Sequence, residues 1–340
     1  MTRGLALGTA LLTTLLLPTT VGAAGVAAVA HVDVETRIYT FAPDAEPTAT
    51  LVSNGIGGLA AATSALPPSS RLWLYVQPRV VPDLGPSPTA RLGTLVKEIG
   101  ASGIDVRTAQ VLSLRDEAAF TWFAYNAEAD VLDAPLGILD LRDGRLLFAY
   151  VPEPDAHAAR PFLAGDREFE LYAAGYEGLD RLDSQQSEAC YPTGQLVRHG
   201  ADLWFPSQGD SQLCQRTVFA GLAKACKSPP CSLMGTPQPH VTGKFLAFGD
   251  FAVLAGQATP FALSPDFYMK AARDQCAPRT PSPTGPWVSP MACHTSVMLA
   301  TVLGPGIGFR GNSKRIQLAT AGSSAVPAWA RGVVAARDNP

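Results

Sequence analysis

HVDVETRIYTF (31–41), RLWLYVQP (71–78) and GIDVRTAQVLSL (103–114) are strand-like stretches, rich in Val, Ile, Leu and aromatic residues. Between the second and third, TARLGTLVKEIG (89–100) sets Leu92, Leu95, Val96 and Ile99 at helical spacing, with a glycine that suits a helix stop. The pattern is β-α-β. GILDLRDGRLLFAYVP (137–152) predicts a hairpin, because two β-rich arms flank Asp143-Gly144, a dipeptide that favours a tight primed turn. The chain from Pro152 to about Gln195 reads as helix or loop. FLAFGDFAVLAG (245–256) and CHTSVMLATVLG (293–304) read as buried helices, and APRTPSPTGPWVSP (277–290) as a Pro-rich loop. NGIGG (54–58) lacks the Lys-Ser/Thr of a phosphate loop and is expected to lead into a helix at Leu59.

One stretch stands out. VLSLRDEAAFTWFAYN (111–126) runs from apolar residues into Asp116-Glu117 and then into Phe120, Trp122, Phe123 and Tyr125. Burying a carboxylate is costly, so the pair needs a reason. Either it stands at a strand end facing a cleft, or it caps a helix that starts at Asp116.

With 340 residues, 47% of them hydrophobic, the chain can bury a large core and is expected to form two lobes. The net charge of -3 comes with no Lys/Arg cluster, which excludes a phosphate-backbone binder; no nucleic-acid partner is expected. Arg3, an apolar run from Leu5 to Leu17 and small residues around Val21-Gly22-Ala23 form an export signal, assigned to residues 1–24. No later segment is long and apolar enough to span a membrane, so a secreted or periplasmic protein is expected. Export makes Cys190, Cys214, Cys226, Cys231, Cys276 and Cys293 legible as three disulfides. Six cysteines permit about 15 pairings. The nested, local solution is 190 with 214, 226 with 231 and 276 with 293; zinc, the competing reading, lacks CxxC and paired-His spacing. The five histidines are scattered and carry no assigned role, and no serine sits in a GxSxG elbow.

Several stretches, in order, resemble the ecto-apyrase family of nucleoside triphosphate diphosphohydrolases. LSLRDEAAFTWFAYN is similar to the family's third conserved region. QPHVTGKFLAFGDF (238–251) follows its QPP-x-x-G-x-F-x-AFSAF segment, and Cys226-KSPP-Cys231 just before keeps its cysteine spacing. ACHTSVMLATVLGPGIGF (292–309) and IQLATAGSSAVPAWARG (316–332) resemble its last two regions. The resemblance implies an α/β protein of two RNase H-like, actin-related ATPase lobes, with mixed sheets, a nucleotide in the central cleft and a disulfide-bonded second lobe. It divides the chain into residues 28–112 plus 305–335 and residues 113–304. It also places the catalytic base at Glu117, with Trp122 and Asn126 as binding companions and Trp329 near the metal. Asp33 and Asp140, each after an apolar strand, would orient the waters of Mg²⁺ or Ca²⁺.

The phosphate cradles depart from this family. Its two Gly/Ser/Thr loops, where backbone amides and hydroxyls surround phosphate, are DVETR (33–37) and DLRDGRLL (140–147) here. YVQPRVV (75–81) likewise replaces a Gly-rich turn. Losing one preorganised donor costs on the order of 10² to 10³ in rate. Arg142 and Arg145 are expected to be solvated on their hairpin turn. Two functions therefore stand side by side: a monomeric nucleoside tri/diphosphate phosphatase, and a catalytically degenerate relative that binds a ligand or a protein. A hydrolase of unrelated substrate using Glu117 and Asp140 as paired carboxylates is a third.

Overall fold

The computed structural model describes residues 26–33, 35–42, 45–52, 55–154, 156–179, 188–199, 203–226, 229–255, 262–277, 292–319 and 326–337. The export segment and all but the first residue of the Pro-rich loop lie outside them. The chain opens with strands β1 (Ala27–Val32), β2 (Thr36–Phe41) and β3 (Thr48–Val52), then the short helix α1 (Leu59–Thr63). Strand β4 (Arg71–Val76), helix α2 (Pro88–Gly100) and strand β5 (Asp105–Val111) follow, as the sequence predicts. The five strands form one sheet in the order β3-β2-β1-β4-β5, antiparallel on the β1-β2-β3 side and parallel through β4 and β5.

After helix α3 (Leu114–Glu128) come β6 (Gly137–Arg142), β7 (Arg145–Tyr150), β8 (Arg160–Ala164) and β9 (Arg167–Tyr176). Beyond the hairpin β10 (Leu196–His199) and β11 (Leu203–Pro206) lie α4 (Ser211–Leu222), β12 (Phe245–Gly249), α5 (Asp250–Ala255) and β13 (Ala262–Leu263). The chain ends with α6 (Pro265–Cys276), α7 (Ala292–Thr301), β14 (Ile316–Leu318) and α8 (Ala328–Arg337). The second sheet runs β13-β14-β12-β6-β7-β9-β8. Its inner five strands, β9-β7-β6-β12-β14, repeat the order and the parallel or antiparallel sense of the first sheet.

Alternation along the strands sorts the core into layers. Ala28, Ala30, Val32, Leu72, Leu74 and Val76 face α1 and α2. Val29, Trp73 and Tyr75 face the other way, into a central layer where α3 and α8 meet Ile138, Leu147, Ala149, Leu171 and Ala173 of the second sheet. Leu139, Leu141, Leu146 and Phe148 face outward, toward α4, α6 and α7. The helices of the central layer cross closely at Gly332, where a Cβ would lie 1.9 Å from the Phe120 carbonyl oxygen.

Three sequence expectations change. Residues 152–195 contain β8 and β9, because the second half of β9 is buried on both faces and loses its alternation. Residues 245–256 are a strand followed by a helix rather than one helix. Here β12 is flanked by β6 and β14, so its apolar run is continuous, and Gly249 at φ +69° makes the turn into α5. The C-terminal segment does not belong wholly with the first sheet: β14 hydrogen-bonds to β12 in the second, and α8 packs against α3 and β1. The disulfides are Cys190–Cys214, Cys226–Cys231 and Cys276–Cys293, the nested solution.

Candidate functional site

Beyond β5, Ser113 caps α3: its hydroxyl accepts from the Asp116 amide at 3.1 Å and donates to the Asp116 carboxylate at 2.6 Å. Asp116 is thus a capping residue, favoured by the helix dipole. Glu117, the next residue, turns inward from the first helical turn and is only 3% exposed. Its carboxylate forms an ion pair with the Arg145 guanidinium at the start of β7.

Arg145 links the two sheets. Its Nε lies 3.6 Å from Glu177, and Asp33 at the end of β1 acts on it electrostatically. Burial, first, and the Arg79 charge hold the Arg145 pKa below its ordinary value, against the pull of Glu177 and Asp33. Asp33 is itself gripped by Arg79, which donates from Nε at 2.5 Å and from Nη2. His31, two residues before Asp33 and on the same face, lies 2.9 Å from the Gln77 amide nitrogen and meets the Trp329 ring edge-on at 5.1 Å. Burial pushes the His31 pKa down from 6.5 to about 4; Asp33 opposes this, while Arg145, Arg37 and Arg79 add to it.

Asp140 has a guanidinium of its own and shares no ion pair or hydrogen bond with this group among the described residues. It is buried on β6, opposite Phe248 and Leu147, and accepts from Arg142 Nε at 2.8 Å. Burial raises its pKa, with Arg142 opposing. Tyr125 and Asp250 are its electrostatic neighbours, and Tyr125 stacks on Phe248 at 3.8 Å.

The remaining sequence-derived residues are packed. Trp122 is fully buried, edge-on to Phe169 and Phe162. Asn126 donates to the carbonyls of Trp122 and Leu136 and accepts from the Leu136 amide, tying α3 to the segment before β6. Trp329 meets His31, Tyr39 and Tyr75 edge-on. Glu117 and Asp33 are thereby brought to one arginine-bridged group with Trp329 against its histidine, whereas Trp122 and Asn126 serve the core.

The turns after Asp33 and Asp140 are tight. Val32 pairs with Thr36, leaving three residues in the first connection. Arg142 pairs with Arg145 across the second, where Asp143 and Gly144 take φ of 51° and 71° in a two-residue primed turn. The two-residue turn after Arg142 leaves no loop to wrap an anion. The expectation that Arg145 is solvated fails, because its side chain is half-buried and its charge meets Glu117. Sequence reasoning also missed Arg79, Gln77 and His31. A basic residue two positions after a strand-ending Gln77 was the one available signal for Arg79.

A divalent cation needs carboxylate oxygens free of competing cations. Each carboxylate proposed for base or metal work here is matched to a guanidinium, Glu117 to Arg145, Asp33 to Arg79 and Asp140 to Arg142. No group of three or more His, Cys, Asp or Glu residues suited to a metal ion occurs among the described residues. The donor set present does not fit the cation.

No protein-family model matches the chain, and no curated protein matches it. Among solved structures it is similar to the nucleoside triphosphate hydrolases from Neospora caninum, with 9% identity over 91% of each chain and a TM-score of 0.57. The Aquifex aeolicus PPX-GPPA enzyme is 10% identical over 92% of this chain and 99% of that one, but its TM-score of 0.42 is too low to bear on the fold. The chain has the fold of a nucleoside triphosphate hydrolase, with two mixed-sheet lobes.

Proposed function

We propose that this chain is a catalytically degenerate apyrase-fold protein, exported and disulfide-bonded, that serves as a binding module. The observation that carries the reading is the arginine on every candidate carboxylate. A base must be free to take a proton, and a metal-orienting carboxylate must be free to accept from water. Guanidinium groups meet one oxygen of Glu117, one of Asp140 and both of Asp33, and the short connections after Asp33 and Asp140 lack the Gly/Ser/Thr run of a phosphate cradle. Three disulfides suit an oxidising compartment, and no helix among the described residues is long and apolar enough to cross a membrane.

A second reading has one observation in its favour. Arg79 and Arg145 come from different sheets and act on each other electrostatically, as two donors to one bound phosphate would. A nucleoside tri- or diphosphate that took both guanidiniums would release Asp33 and Glu117 for Mg²⁺ or Ca²⁺ and for proton abstraction. The test is released phosphate from ATP, ADP, GTP and UDP with each cation, for the mature chain and for Glu117→Gln. Background release from both supports the degenerate module; cation-dependent release abolished by Glu117→Gln refutes it and supports the phosphatase.

A further inference from the structure

A cavity of about 210 Å³ opens beside the first turn of α3, lined by Arg115, Asp116, Arg160, Phe162, Leu171 and Ala173. Arg115 is two positions before Glu117, so its side chain leaves the helix roughly 200° away from the arginine-bridged group. The cavity thus lies between α3 and the β8-β9 hairpin, and none of Glu117, Arg145, Asp33, Arg79 and His31 lines it.

Its charges are unbalanced. Neither Arg115 nor Arg160 has a hydrogen bond or ion pair among the described residues, yet the two act on each other as like charges. Burial, and then Arg160, hold the Arg115 pKa below its ordinary value; Asp116 and Tyr172 oppose this. Asp116, the one carboxylate in the lining, already accepts from the Ser113 hydroxyl at 2.6 Å. Two guanidiniums against one carboxylate leave one net positive charge. Guanidinium pairs bind planar or tetrahedral oxyanions through charge-assisted hydrogen bonds. Beneath them Phe162, Leu171 and Ala173 supply an apolar floor, and apolar walls with a few convergent polar groups are the usual make-up of a small-molecule site.

We propose that this cavity binds a small amphiphilic oxyanion, its carboxylate or phosphate head between Arg115 and Arg160 and its apolar part on Phe162 and Leu171. The site does not depend on whether the centre between the sheets is catalytic.

The test is amide chemical-shift titration of the mature chain with phenyl phosphate, hexanoate and inorganic phosphate, with cyclohexanol as a neutral control. Saturable shifts are expected for phenyl phosphate, hexanoate or both, confined to residues 114–119 and 160–173. Inorganic phosphate should bind more weakly and cyclohexanol not at all. Arg160 is exposed, so Arg160→Glu should fold normally while weakening binding by about tenfold or more; Arg115→Gln is the second, milder variant. The proposal is overturned if neither organic anion saturates, if Arg160→Glu binds as the parent does, or if the shifts centre on Asp33 and Arg145. Equal affinity for inorganic and phenyl phosphate would remove the apolar subsite.

Discussion

His31 supplies the sharpest quantitative test, because its environment fixes both the sign and the size of an effect on stability. In the unfolded chain the imidazole titrates near 6.5; in the folded chain it is half-buried against Trp329, and desolvation, opposed by Asp33 and reinforced by Arg145, Arg37 and Arg79, pushes it down to about 4. A histidine with a lowered folded pKa contributes stability that is fully present above 6.5. That stability is lost as the pH falls to about 4, because only the unfolded state then gains a proton. The gap is about two and a half pH units, and each unit is worth about 1.4 kcal/mol, so the loss is roughly 3 kcal/mol. The assay is urea unfolding of parent and His31→Gln at intervals between pH 7.5 and pH 4, with disulfides intact. Glutamine keeps a polar group near Gln77 and has no charge to gain. The parent should lose roughly 3 kcal/mol more than the variant over this range, with the steepest divergence about midway between the two pKa values, between pH 5 and 5.5. A parent-minus-variant difference that stays flat would refute the claim that His31 is half-buried and neutral in the folded protein.

The Glu117–Arg145 pair should behave as a buried ion pair. Arg145→Leu leaves the carboxylate uncompensated and should cost about 3–5 kcal/mol in urea unfolding, whereas Glu117→Leu with Arg145→Leu should recover most of that loss. At the α3–α8 crossing, Gly332→Ala puts a methyl into the Phe120 backbone and should destabilise by about 1–3 kcal/mol, read as a lower Tm. Gly93, helical in α2 with nothing near its added Cβ, is the control; Gly93→Ala should stabilise by about 0.5–1 kcal/mol.

What was legible in the sequence follows from how residues meet solvent. Helix α2 has an apolar and a polar face and its periodicity shows it, whereas β1 and β4 are buried on both faces and were legible as short apolar runs, β4 with its aromatic residues. The β6-β7 hairpin was legible for a different reason, since only a few dipeptides tolerate two positive φ values. β9 and β12 were not, because their buried stretches carry no alternation to read and that of β12 runs on into the apolar α5. At the site, Glu117 stood out as a costly carboxylate inside an aromatic run, but its partner did not. Arg145 is 28 positions away in sequence, and only the packing of α3 on the second sheet brings the two charges together. His31 and Gln77 were silent for the same reason, since their contact joins two strands that are parallel neighbours.

On the proposed reading, the short connections after Asp33 and Asp140 and the arginine pairing are physically linked. In a cleft built for a metal-bound nucleotide, acidic side chains are kept apart by loops that hold cation and phosphates between them. Connections as short as these hold no such loop, and buried carboxylates such as Glu117 and Asp140 left without a compensating charge are strongly penalised. Guanidinium groups supplied from the ends of the same hairpins and from the turn after β4 offset that charge. Arg142 and Arg145 flank the two-residue turn itself, and Arg79 follows the strand beside Asp33. A reversion that lengthened one loop alone would therefore not restore a cation site, because the arginine would still hold the oxygens. Removing Arg145 alone would expose an unpaired Glu117 without giving phosphate a cradle. On the proposed reading, the connections and the arginines would have to be changed together before cation-dependent turnover is expected.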